Sequence, residues 1–183
     1  SLIIVKPAIE TTPEIDVIQT VFRLAKCNNL DELNKATSAL TEYNVPYVVQ
    51  EYIPGGDSQL LTIGTYSYKG KLKGWSTSKK IRQFPPQTGE CSLGVTIYND
   101  NLVPLAERLL KELNLTGISQ IEFKEYKNNY YLIEINPRIW SWHEINRKVG
   151  VNLCELSVNH IKGNPNTYIK SPTKKKVIWC FML

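Results

Sequence analysis

The sequence predicts an α+β fold, with a mixed or antiparallel sheet and flanking helices arranged in two lobes. Three observations lead there. The apolar patterning runs strand, helix, helix, strand, and then becomes a hairpin-rich section with one helix packed on it. Neither G-x-G-x-x-G nor G-x-x-x-x-G-K-[ST] occurs, so no Rossmann or P-loop nucleotide site is supported. At 183 residues the chain fits one domain or two small lobes, and it is long enough to bury a real core.

Each element has a local reason. Residues 2–6 are a short apolar strand ending in Lys6 and Pro7. Thr12 and Pro13 mark a helix start, with Pro at the first position and a buried face through Ile15, Ile18, Val21, Phe22 and Ala25, which carries the helix to about Lys26. Asp31 is the expected cap of a second helix over 32–43. Residues 47–53 read as a strongly apolar strand, stopped by the turn Pro54-Gly55-Gly56-Asp57. Strands near 59–68 and 71–78 form a hairpin through Lys69-Gly70. An irregular basic loop is expected over 80–90 and a strand over 91–98. Asn99 to Asn101 are expected to cap a helix from about 102 to 113, whose leucines follow a 3.6-residue period. A hairpin of 118–126 with 130–136 comes next, then a helix over 144–162, a polar linker and a basic tail.

Composition narrows the class. The chain is 42% hydrophobic and 21% charged, as in soluble globular proteins. No apolar run reaches the roughly 20 residues of a membrane span, and no secretory signal pattern is present. Cys27, Cys91, Cys154 and Cys180 are scattered without metal-ligand spacing and read as reduced thiols, which suits a cytoplasmic protein. The net charge of +5 favours anionic ligands only weakly. The chain lacks an initiating Met and enters a strand at once, so it reads as a fragment of a longer protein.

The chemistry concentrates in Tyr130 to Arg138, Tyr-Tyr-Leu-Ile-Glu-Ile-Asn-Pro-Arg. In a strand, Glu134, Asn136 and Arg138 share one face. A carboxylate, an amide oxygen and a guanidinium in sequence suit a divalent cation bridging phosphate oxygens. A three-residue turn Lys127-Asn128-Asn129 would pair Tyr126 with Tyr130 and set Glu122 opposite Glu134; a two-residue Asn128-Asn129 turn would break that pairing. Two facing carboxylates repel, and a cation would relieve them. Read from the hairpin alone, the same alternation also fits the solvated face of a half-buried strand.

Three segments in order resemble the ATP-grasp superfamily of ATP-dependent carboxylate–amine or carboxylate–thiol ligases. They are Val5-Lys6-Pro7, Val49-Gln50-Glu51-Tyr52-Ile53-Pro54-Gly55-Gly56-Asp57, and Glu122 twelve residues before Glu134-Ile135-Asn136-Pro137-Arg138. The likeness covers residues 3–165, and Arg82-Gln83-Phe84-Pro85-Pro86 resembles the carbamoyl-phosphate-synthase-like or predicted carboligase branch. The resemblance implies a partial small ATP-binding lobe at 1–53, a large lobe with a metal site at 54–165, and a C-terminal tail or strand at 166–183. It implies that Lys6 reaches the α- and β-phosphates, that Gln50, Glu51, Tyr52 and Ile53 form a hinge reading adenine, and that Asp57 holds ribose hydroxyls. It implies Mg²⁺ or Mn²⁺ on Glu122, Glu134 and Asn136, and Arg138 on the transferring phosphate. Lys80 and Arg82 would lie in a loop able to close over the phosphates, or in an ordinary basic surface loop.

Two departures stand out. Residues 8–13 contain no glycine where many relatives carry a glycine-rich phosphate lid. The N-terminal domain that usually precedes this region, with another ATP-binding lysine, is not in the chain. The implied partners are therefore ATP, a small carboxylate, a nucleophilic acceptor and that missing domain. Two rival readings are a nucleotide-binding module without catalysis and, last, a binder of nucleic acid or another anionic partner. The basic residues are dispersed, which disfavours the latter. Trp140, Trp142 and His143, just past Arg138, would either shape an acceptor pocket or belong to the core.

Overall fold

A computed structural model describes residues 2–8, 24–86, 89–164 and 169–181. The chain divides into two compact units, Ser1–Pro54 and Gly55–Leu183. Among the described residues no helix is long and apolar enough to cross a membrane.

The first unit is a three-stranded antiparallel sheet with one helix. Strand β1 (Ile3–Pro7) lies between β2 (Ala25–Cys27) and β3 (Tyr47–Glu51). Helix α1 (Leu30–Glu42) packs Ala36 and Leu40 against Val5, Cys27 and Val45. The expected helix ending at Lys26 is corrected at its end, because residues 25–27 pair with β1; its earlier part falls on residues 9–23, outside the described residues. Asn29, not Asp31, caps α1: its Oδ1 accepts from Glu32 N at 2.9 Å, and its Nδ2 donates to Glu32 Oε1. Asp31 sits inside the first turn, where its charge complements the helix dipole. β3 is apolar in sequence, yet within this unit's sheet it is an edge strand, and Tyr47, Val48 and Val49 are exposed.

The second unit is built on a six-stranded antiparallel sheet. A 3₁₀ turn (Asp57–Gln59) leads into β4 (Leu60–Tyr68) and β5 (Lys71–Phe84), followed by β6 (Glu90–Ile97), α2 (Leu102–Glu112), β7 (Gly117–Tyr126), β8 (Asn129–Asn136), α3 (Glu144–Lys148), α4 (Leu153–Ile161) and β9 (Ile178–Cys180). The strand order is β8-β7-β4-β5-β6-β9. Alternation divides the side chains between two faces. Leu61, Ile63, Trp75, Ile121 and Phe123 meet Leu102, Ala106 and Leu110 of α2 on one face. On the other, Tyr66 and Cys91 pack with Trp140, Trp142, Ile145, Val151 and Leu156. Each fully buried aliphatic side chain contributes about 1.5–3 kcal/mol.

Glycines seat both tryptophans against the sheet. A Cβ on Gly64 would meet Trp140 Cη2 at 2.5 Å, and one on Gly94 would meet Trp142 Cζ3 at 2.7 Å. The two indoles are therefore core residues, as the second of the two expectations held. The single helix expected over 144–162 is two helices. Gly150 adopts φ +95°, its N–H bonds the Arg147 carbonyl, and Val151 N–H bonds that of Asn146. This is a Schellman stop. Asn152 then caps α4 by accepting from Glu155 N at 3.1 Å.

Candidate functional site

The expected loop from residue 80 is corrected: β5 continues through Phe84, paired with β6 across two irregular registers. Lys80 is therefore a strand residue, and it is only 6% exposed. Its ammonium reaches across β4 to β7, where Nζ donates to Glu122 Oε2 at 2.8 Å. Burial by itself would push the Lys80 ammonium down. The charge and hydrogen bond of Glu122, helped by the charge of Glu134, outweigh it and hold Lys80 above the ordinary lysine range.

Glu122 and Glu134 are direct partners across β7 and β8. The route to that register differs from the expected one. The turn holds two residues, Lys127 and Asn128, at φ +49° and +60°, so Tyr126 pairs with Asn129. Positive φ at both positions is the type I′ arrangement that suits the strand twist. Continued unbroken, this register would place Glu122 opposite Ile133. A bulge intervenes: Phe123 pairs with Leu132, Glu122 pairs with Glu134, and Ile133 is the extra residue.

One step further along, Gln120 pairs with Asn136. Asn136 Nδ2 donates to Gln120 Oε1 at 3.4 Å and more closely to Glu134 Oε1. That leaves its Oδ1 as an acceptor. Gln120 is a site residue the sequence reading passed over; its position two residues before Glu122 on the same face was the available signal. Thr62 was also missed. It is the β4 partner of both Glu122 and Ser78, and its fully buried Oγ1 has no hydrogen-bond partner among the described residues.

These residues suit Mg²⁺ or Mn²⁺. Glu122, Glu134 and Asn136 present hard oxygens on neighbouring strands, and the facing carboxylates carry more negative charge than Lys80 offsets. The unpartnered Thr62 hydroxyl beside Glu122 suits a water of a hydrated cation. Among the described residues no three His, Cys, Asp or Glu side chains form a group that could hold a metal ion, so the donors available here are two carboxylates and an amide. Such a partial set fits a cation completed by phosphates and water.

The remaining expected residues are distributed as follows. Asp57 lies in the 3₁₀ turn, and its Oδ2 accepts from Gln83 N at 2.9 Å, fastening the turn to β5. Arg82, next to Gln83, is exposed. Arg138 follows β8 directly, is exposed, and its Nη1 donates to the Ile139 carbonyl at 3.4 Å. His143 Nδ1 donates to the Trp140 carbonyl at 2.9 Å, which orients the ring. In the first unit, Lys6 pairs with Val48, Gln50 with Ile4 and Glu51 with Ile3. Tyr52 N donates to the Leu2 carbonyl, its ring lies 5.0 Å from Lys26 Nζ, and Ile53 is buried. The second unit thus gathers Lys80, Glu122, Glu134 and Asn136 around one sheet face, with Arg138 just beyond the strand end.

The family model described as ATP-grasp in the biosynthetic pathway with Ter operon matches residues 79–179. No curated protein matches the chain significantly. Among solved structures, the fold is similar to the biotin carboxylase–β-γ-ATP complex from Campylobacter jejuni, with 18% identity, a TM-score of 0.71, and coverage of 98% of this chain and 41% of that one. It is similar to the biotin carboxylase domain of Hydrogenobacter thermophilus 2-oxoglutarate carboxylase, solved with MgADP, ADP and bicarbonate, at 15% identity and TM-score 0.72, again covering 98% and 41%. Staphylococcus aureus N5-carboxyaminoimidazole synthetase complexed with ADP matches at 10% identity and TM-score 0.66, covering 97% and 45%. The chain spans about two fifths of the length of these structures.

Proposed function

Because the chain belongs to the ATP-grasp family of the biosynthetic pathway with Ter operon, we propose that it is part of an ATP- and Mg²⁺-dependent ligase. The ligase activates a carboxylate as an acyl-phosphate for attack by an amine or a similar nucleophile. The observation that carries this reading is the facing pair Glu122 and Glu134, with Asn136 on the next row and Arg138 just past the strand.

In this proposal Glu122, Glu134 and Asn136 hold the Mg²⁺. The bound cation would neutralise charge on the nucleotide phosphates. Lys80 and Arg138 add positive charge at the same site, Lys80 from the sheet and Arg138 from its exposed position, where it can stabilise negative charge on the transferring phosphoryl group. In the first unit this reading gives Lys6 to phosphate and Gln50 to Ile53 to adenine; in the second it gives ribose to Asp57, whose Oδ2 accepts from Gln83 N. Arg82, exposed on β5, adds a further cation for the phosphates. The MgADP, ADP and bicarbonate of the 2-oxoglutarate carboxylase domain support a nucleotide and a small carboxylate as ligand classes.

A thermal-shift titration with ATP, with and without Mg²⁺ and with GTP as control, tests the reading. Ligand at about 100 times its dissociation constant stabilises by roughly 2.7 kcal/mol. A Mg²⁺-dependent shift selective for ATP is expected. Absence of a shift both here and in the full-length protein removes the nucleotide reading.

A further inference from the structure

We propose that Lys80 is an internal counter-ion which occupies the Glu122 carboxylate of the metal site until a cation and a nucleotide arrive together, so that Lys80 makes divalent-cation binding depend on nucleotide. The inference rests on the metal reading of Glu122, Glu134 and Asn136 and goes beyond it, since it concerns the order and coupling of binding.

The geometry carries the argument. Glu122 is one of two directly facing carboxylates, and one of its oxygens is taken by Lys80 Nζ at 2.8 Å. Both side chains of the pair are 8% exposed. A buried ammonium cannot be left without a partner, and a dication beside it is repelled. A lone cation must therefore either displace Lys80 from its hydrogen bond with Glu122 while competing with it for the facing Glu134, or bind next to it against like charge. Neither is favourable. A nucleotide changes both conditions, because its phosphates supply oxygens for the cation and an anionic partner for the released ammonium. Cation and nucleotide then each raise the other's affinity, as reciprocal coupling requires. Lys80 acts here as a positioning residue, through Glu122.

Removing the Lys80 charge should uncouple the two ligands. The probe is Mn²⁺, titrated alone and with ADP, and followed by its electron-paramagnetic-resonance signal. In the unaltered chain Mn²⁺ alone should bind weakly and ADP should strengthen it. Lys80→Met should bind Mn²⁺ alone at least about tenfold more tightly, and ADP should add less than it does in the unaltered chain. Lys80→Gln keeps a hydrogen-bond donor for Glu122 and serves if the Met variant does not fold. A folded variant of either kind that binds Mn²⁺ alone no more tightly than the unaltered chain overturns the proposal while leaving the metal site standing. Failure of every form to bind Mn²⁺ even with ADP overturns the metal reading and this inference with it. A third arm needs no substitution. In ¹⁵N-lysine-labelled protein, the Lys80 ammonium resonance should shift on adding Mg²⁺ with ADP, and an unmoved resonance while Mg²⁺ and ADP bind overturns the release of Lys80.

Discussion

Glu122 and Glu134 face each other across β7 and β8 because Ile133 is bulged out of the ladder between them and Leu132. A type I′ turn of two residues sets one register near the hairpin tip, and the bulge sets another at the site. The like charges so opposed are a standing strain that a ligand can relieve. That relationship makes the hairpin testable from both its ends.

Glu134→Gln removes one of the two facing charges. The free protein should become slightly more stable, by about 0.2–1 kcal/mol. Its Mg²⁺-dependent nucleotide shift should disappear or shrink at least tenfold in affinity. Thermal shift with and without Mg²⁺ and ADP measures both, and unchanged cation dependence would sink the metal assignment.

Arg138→Ala should leave nucleotide binding near normal, since the guanidinium is exposed after β8 and is proposed to act on the transferring phosphate. Phosphoryl transfer in the full-length protein should fall by about 100-fold or more. ATP turnover at saturating nucleotide reads this out, and normal turnover removes Arg138 from the mechanism.

Gly64→Ala places a Cβ 2.5 Å from Trp140 Cη2 and 3.1 Å from Asn146 Nδ2. Relief requires moving a buried indole, so stability should drop by about 1–3 kcal/mol. Urea midpoints at constant slope measure the loss. A variant as stable as the unaltered chain would mean that Trp140 shifts freely.

At the hairpin tip, Asn128→Gly should stabilise by about 0.5–1 kcal/mol, because Asn128 holds φ +60° and glycine adopts that region without strain. The site bulge lies several residues away, so Mg²⁺ and ADP binding should be unaffected. Chemical denaturation paired with the thermal-shift assay separates the two effects.

Alkaline pH should weaken the fold. Burial pushes the Cys91 thiol from its ordinary 9.0 up to about 12, against the opposing charge of Lys80, and Lys80 is itself held above 10.5. Both groups keep their protons in the folded chain at pH values where the unfolded chain releases them. The folded state then binds more protons, and stability declines as pH rises from about 9 toward 12. Unfolding free energies measured from pH 7 to 11 should fall by about 1 kcal/mol per pH unit above pH 9, with a smaller slope in Cys91→Ala. A flat profile would contradict the buried, protonated thiol.

Particular residues mark the boundary between what the chain spells out and what folding decides. The hairpin of β4 and β5, the start of α2 and the alternation of Glu134 with Asn136 are legible because each depends on neighbours within a few residues: a positive-φ turn, a helical period, a two-residue strand repeat. The break at Gly150 and the caps by Asn29 and Asn152 were equally local signals, and the competing apolar period obscured them. Other features had no local signal. β3 is apolar yet forms an edge of its unit's sheet, because its place depends on which strands pair with β1. Lys80 reads as a loop cation, but it is a buried partner of a carboxylate 42 residues away, because β4 lies between their strands. The chain by itself determined the donor types and their shared face through strand periodicity. Only the tertiary structure decided that Glu122 meets Glu134 and that Lys80 closes on Glu122, because register, bulge and strand order arise from long-range pairing and burial.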